Sequence, residues 1–203
     1  MGIFDTLLGR TKPVQADLDA LFAVPSASLT LQSAAGLVCS GRAGVCYKPP
    51  SGQGIEQMQG EIDRLLTLDG GSPGTTSEDA FGYRWVVVTD PDVESLVTRV
   101  HLVNSSLADA GWGPQLLCSV FGIAAAPAAD PAGVPAPGPG SVLASTAYLV
   151  YLFKRGTFYP FVPTGTQQRS TEEELRLRSL LAGDLRVEDD LARWFPLWDL
   201  PVG

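Results

Sequence analysis

A single histidine and three cysteines are the whole stock of imidazole and thiol in this 203-residue chain, and the shortage excludes most metal and nucleophile chemistry. Cys39, Cys46 and Cys118 are odd in number and contain no Cys-x-x-Cys, so they match neither a disulfide framework nor a structural zinc site. No acidic run has the ligand spacing of a calcium or magnesium loop. We expect no metal and no cofactor. Positive charge is short as well: 14 Lys+Arg stand against 22 Asp+Glu, a net charge of −8. Such a field repels phosphate backbones, so no nucleic-acid partner is expected. Nor does any run approach the roughly 18 apolar residues that a membrane-spanning helix needs. With no secretory signal at the start, reduced thiols in the cytoplasm are the simple expectation.

What is present suffices for a core. Hydrophobic residues make up 45% of the chain, and folding at this size removes roughly 70% of the extended-chain surface from water. We expect one domain over residues 13–203, preceded by an amphipathic segment at 1–12. In that segment Ile3, Phe4, Leu7 and Leu8 recur at helical spacing, ahead of Arg10 and Lys12. It is too short to be a stable free helix, so it docks on its own domain, on a partner or on a membrane surface.

Further along, a short helix is expected over 16–23, closed by Pro25, followed by loosely alternating strands between Ser28 and Lys48. Ile55, Met58, Ile62, Leu65 and Leu66 form a helical stripe, and the Ser/Pro/Thr-rich run to Glu78 reads as a loop. Residues 83–89, with Trp85 and three valines, predict a strand covered on both faces. Asp90-Pro91 supplies a cap and first-turn proline for a helix burying Val93, Leu96, Val97, Val100, Val103 and Leu107, with Arg99 and His101 suiting the dipole at its far end. A strand over 115–123 leads into Ala124–Ser145, an alanine, proline and glycine excursion with little to bury. The hairpin behind it is the plainest element: 147–153 alternates strictly, Lys154-Arg155-Gly156 turns, and 157–162 returns as a short or edge strand around Pro160. Ser170 and Glu173, or Thr171 and Glu174, offer a capping box for a helix burying Leu177, Leu180 and Leu181.

Two features look like contact surfaces. Lys154 and Arg155 are adjacent cations at a hairpin tip, flanked by Phe153, Phe158 and Tyr159, on an otherwise acidic protein. They either sit solvated or engage carboxylates or lipid phosphates, with the rings adding apolar area. The tail carries Trp194, Phe195 and Trp198, an aromatic group that a monomer does not leave in water. It either caps the domain's own core or serves a partner. Gly52-Gln-Gly54 before a helix lacks the third glycine of a dinucleotide fingerprint and is ordinary loop chemistry. Cys118 lies in an apolar strand, where an inert buried thiol is the ordinary outcome, and nothing brings His101 to it.

Four segments in order carry a resemblance: MGIFDTLLGRTKPV at the start, GWGPQLLC over 111–118, YLVYLFKRGTFYPF over 148–161 and DLRVEDDLARWFPLW over 184–198. Together they resemble the actinobacterial PspA-associated family PspAB, over nearly the whole chain except the Ala/Pro/Gly excursion. That resemblance implies an accessory role in an envelope-stress system built around the membrane-associated PspA coat protein. It brings a partner of the PspA family and no catalytic residue.

The expected architecture is α+β: a largely antiparallel sheet of about six strands, near 28–32, 43–48, 83–89, 115–122, 147–153 and 157–162, with packed helices and a long insertion between two strands. The expected function is that of a non-enzymatic adaptor, its contact candidates being Ile3, Phe4, Leu7, Leu8, Lys154, Arg155, Phe158, Tyr159, Trp194, Phe195 and Trp198. A peripheral membrane protein using residues 1–12, or a small enzyme of hydrolase type using carboxylates or Cys118, are the alternatives.

Overall fold

The strict alternation along 147–152 places one set of side chains under helices and the other under the C-terminal tail, and this division runs through the whole fold. The computed structural model describes residues 16–49, 54–68, 71–126 and 146–202. Six strands form one antiparallel sheet in the order β2-β3-β1-β4-β5-β6. They are β1 (Leu37–Tyr47), β2 (Thr75–Glu78), β3 (Arg84–Thr89), β4 (Leu116–Ala125), β5 (Ala147–Leu152) and β6 (Thr157–Phe161). A small second pair joins β7 (Pro163–Gly165) to β8 (Gln168–Arg169). The helices are α1 (Val24–Ala35), α2 (Ile55–Thr67), α3 (Val93–Leu107) and α4 (Thr171–Leu181).

Ala147, Leu149 and Tyr151 of β5 pack into the larger core with Val97, Val100 and Val103 of α3. Tyr148 and Val150 point to the other face, into a second core with Trp85, Val120, Tyr159, Phe161 and Trp194. The expected double coverage of β3 follows the same rule: Val86 and Val88 join the first core, Trp85 and Val87 the second.

Several expectations are corrected. Residues 28–32 are not a strand. They belong to α1, whose buried positions Val24, Ala27, Leu31 and Ala35 repeat every three or four residues, while Leu29 stays 67% exposed. Small residues carry that stripe, so it is weak to the eye. Pro25 opens this helix in its first turn, where the missing N–H costs nothing, instead of closing the one before. Gly36 ends it in the left-handed region at φ 64°. The strand expected at 43–48 is the second half of the 11-residue β1. The loop to Glu78 contains β2, which takes the outer edge beside β3.

The cap of α3 falls two residues later than expected: the Asp92 carboxylate accepts the Ser95 N–H at 2.8 Å, and Asp90 accepts the Asp92 N–H at 3.0 Å. Arg99 does not serve the dipole of its own helix. It is buried and donates to the Leu66 and Ser72 carbonyls, closing the end of α2. In α4 the Ser170 hydroxyl accepts the Glu173 N–H, which is only half of the first capping box: the Ser170 N–H donates to the Val162 carbonyl and the Glu173 carboxylate pairs with Arg176. Leu177 and Leu181 are buried there and Leu180 only partly. Glu174, of the other box, is instead wholly buried.

Pro160 does sit in an edge strand, and that edge is protected. The Phe158 N–H donates to the Arg186 carbonyl, and the Glu188 N–H donates to the Phe158 carbonyl at 2.7 Å. The tail thereby seals the ladder groups that an open edge would offer to another chain. β4 continues through Ala124 and Ala125, two residues assigned above to the excursion. The rest of that excursion, 127–145, and the segment 1–12 lie outside the described residues.

Candidate functional site

Beyond α4, whose Leu177 and Leu181 pack in the helix-side core, the tail crosses to the outer face of the sheet and is tied down at several points. Trp194 donates its indole N–H to the Glu188 carbonyl at 3.0 Å and stacks on Tyr159 with centroids 5.9 Å apart. The Tyr159 hydroxyl donates to the Phe195 carbonyl at 2.8 Å, and burial keeps that phenol protonated by raising its pKa. Trp198 meets Phe161 edge to face at 5.3 Å. Arg42 donates to the Pro201 carbonyl, and Val202 settles over Gly44, where a Cβ would lie 2.9 Å from its methyl. Glycine at 44 is therefore a packing requirement for the tail.

The tail does not cover the whole face. It leaves an apolar groove of about 650 Å³. The floor is outer-face sheet: Cys46, Trp85, Cys118, Leu152 and Tyr159. Its walls are the tail from Phe195 to Leu200, the β2–β3 turn with Phe81 and Tyr83, and the hairpin tip with Lys154 and Arg155. Two large rings stand exposed at this groove, Phe81 at 80% and Phe195 at 56%. Phe81 is held there by an acidic turn. The Asp79 carboxylate accepts the Phe81 and Tyr83 N–H groups and the Trp85 indole N–H, and Gly82 takes φ 72° to close the loop.

The contact candidates therefore separate. Lys154, Arg155, Phe195 and Trp198 all line the groove. Phe158, 1% exposed, is part of the helix-side core, and its ring is unavailable to any partner. Tyr159 is equally buried, although its body forms part of the floor. Trp194, 5% exposed, fills the protein's own second core. Ile3, Phe4, Leu7 and Leu8 lie outside the described residues. Sequence reasoning missed Phe81 altogether. The signal available was Asp79-x-x-Gly82, a turn that forces the intervening residues outward.

The two cations of the hairpin tip are not equivalent. Arg155 is committed to Glu188, which is 2% exposed, and the Thr157 hydroxyl donates to the same carboxylate at 2.8 Å. Burial works against the charge of Glu188. Hydrogen bonds from Arg155, Thr157 and the Asp190 N–H outweigh it and hold the carboxyl below the ordinary glutamate range. Lys154 has no carboxylate partner among the described residues and is exposed. It supplies a positive charge at one end of the groove, whose lining also carries the exposed Asp199 carboxylate on the tail.

A lowered native pKa gives Glu188 a definite pH signature. Its stabilisation is fully present above the ordinary value of 4.5 and is lost as pH falls through the lower native value. Glu188→Gln is expected to cost about 2 kcal/mol at neutral pH, the scale of a charge-assisted hydrogen-bond set. Melting temperatures taken across pH should show that gap constant above 4.5 and closing in more acid solution. A gap that widens in acid would contradict the assignment.

His101 sits on α3, 4.0 Å from Asp19, and the sheet separates it from Cys118 on the outer face. Gly54 begins α2 in open space, and Gly52 is outside the described residues. Among the described residues no three His, Cys, Asp or Glu side chains group as metal ligands. No helix among them is long and apolar enough to cross a membrane.

A family model for PspAB, described as PspA associated protein B, matches residues 1–202. The chain belongs to the PspAB family. No curated protein and no solved structure matches it. Membership in PspAB makes this a non-enzymatic accessory protein that acts by protein contact, with a PspA-family protein as its partner. It also agrees with a groove whose lining joins exposed rings to charged side chains, Lys154, Arg155 and Asp199 among them.

Proposed function

We propose that the outer-face groove is where this accessory protein receives its PspA-family partner, in the cytoplasm, through an apolar segment of that partner flanked by acidic residues. The observation that carries the proposal is the convergence of Phe81, Phe195 and Lys154 on one apolar trough. The rings stand out from an anchored backbone, so their burial on binding costs little ordering entropy. Complete removal of such rings from water favours association by about 1.5–3 kcal/mol each. Lys154 selects an acidic neighbour on a protein that otherwise repels acidic partners.

Lys154→Glu tests the electrostatic half without disturbing the fold, because this side chain is exposed and makes no ion pair among the described residues. Retention of a purified PspA-family protein is expected to weaken by about tenfold, or roughly 1.4 kcal/mol, with the difference shrinking in high salt. Equal binding by variant and parent at every salt concentration would refute the orientation. Arg155→Glu is the wrong test, since it sets a glutamate against buried Glu188 and damages the tail.

A further inference from the structure

The floor of the groove holds a pair of thiols that the accessory role does not use. Cys46 of β1 and Cys118 of β4 are directly opposed across the two central strands. Antiparallel partners in register keep their Cα atoms roughly 4.5–5.5 Å apart with side chains on one face, inside the roughly 4.4–6.8 Å span that a disulfide accepts. Both side chains belong to the outer-face core, both line the groove, and both thiols are free. The two thiols interact with each other, and this contact, with burial, pushes the Cys46 thiol above its ordinary range. Cys39 packs against the helix-side core and is opposed by Ile123, so it is not part of the pair.

We propose that Cys46 and Cys118 are a redox-active dithiol, oxidised to an intramolecular cross-strand disulfide by a small peroxide entering the groove. Cys46 is the thiol held in its protonated form, so Cys118 reacts first: its thiolate attacks one peroxide oxygen; the O–O bond breaks, giving a sulfenic acid and, after protonation of the leaving hydroxide, one water. Cys46 then attacks the Cys118 sulfur, losing its proton to the departing hydroxyl, which leaves as a second water. Two thiols lose two electrons, the peroxide gains them, and no other reactant is required. Because the strands already hold the sulfurs together, bond formation needs no rearrangement of the sheet. Trp85 is the register partner of Cys46 on its other side, so its indole reports the change.

The test uses the full chain treated with hydrogen peroxide, then denatured and alkylated. Titratable thiols should fall from three to one, with the monomer mass lower by two hydrogens and a Cys46–Cys118 peptide recovered after proteolysis. Indole fluorescence should drop and recover on adding dithiothreitol. In Cys46→Ser the Cys118 sulfenic acid should accumulate and be trapped by dimedone. Survival of all three thiols, or a product linked only through Cys39 between two chains, would overturn the proposal. Peptide mapping of the unsubstituted protein decides the matter even if a serine variant fails to fold.

Discussion

Glu174→Ala is expected to lower stability by about 3–5 kcal/mol, the range for breaking a buried ion pair from one side. For a chain near 200 residues that corresponds to roughly 6–20 °C in melting temperature. The reason lies in what the carboxylate holds. It is wholly buried, accepts the Val162 N–H at 2.9 Å, and receives Arg169 at 2.7–2.9 Å through two nitrogens. Truncation leaves a buried N–H without its acceptor and a guanidinium, 22% exposed, without its counter-charge. Arg169 also donates to the Trp194 carbonyl at 2.7 Å and lies over the Phe161 ring at 5.2 Å. The loss therefore spreads from α4 to the anchored tail. Glu174→Gln keeps an acceptor for Val162 and is expected to fall between parent and alanine variant. Thermal denaturation followed by indole fluorescence measures both, and a Glu174→Ala protein within about 1 kcal/mol of the parent would show that Arg169 finds another partner.

Glu174 also marks where the sequence stops being legible. As an acidic residue in the first turn of a helix it reads as a dipole complement, and the sequence even offers it as half of a capping box. Its burial depends on Arg169 approaching from β8 and Val162 from the link between β6 and β7, which is tertiary information. Glu188 is hidden in the same way: an acidic tail reads as solvated until Arg155 and Thr157 are placed against it. The hairpin 147–161 was legible because period two over six residues, with two cations at the turn, admits one arrangement. Residues 24–35 were not, since alanine, serine and threonine give a helix with little apolar contrast, and Leu29 and Leu31 mimic strand alternation. For the groove, the sequence indicated two walls, the cationic turn and the aromatic tail. It gave no means of bringing them to the same face as Cys46 and Cys118, because that requires the strand order.

Replacing Phe81 and Phe195 together by aspartate is expected to abolish partner binding, by roughly 100-fold or more, while leaving the fold intact. Each ring is mostly exposed, so its removal opens no cavity, and surface changes of this kind usually stay within about 0.5 kcal/mol in stability. Their effect on a complex is different. An interface built on an apolar trough concentrates its energy in a few aromatic anchors, each worth about 2 kcal/mol or more on truncation, and the aspartates add repulsion toward an acidic flank. Single variants apportion the effect. Phe195→Asp should cost more than Phe81→Asp, since both backbones are fixed but Phe195, 56% exposed beside buried Trp194, stands deeper in the groove wall than Phe81 at 80%. Calorimetric titration with a purified PspA-family protein, alongside melting curves of the same samples, separates loss of contact from loss of fold. A doubly substituted protein that melts like the parent and still binds the partner with parental affinity would remove the outer face from consideration and return the contact to a surface elsewhere on the chain.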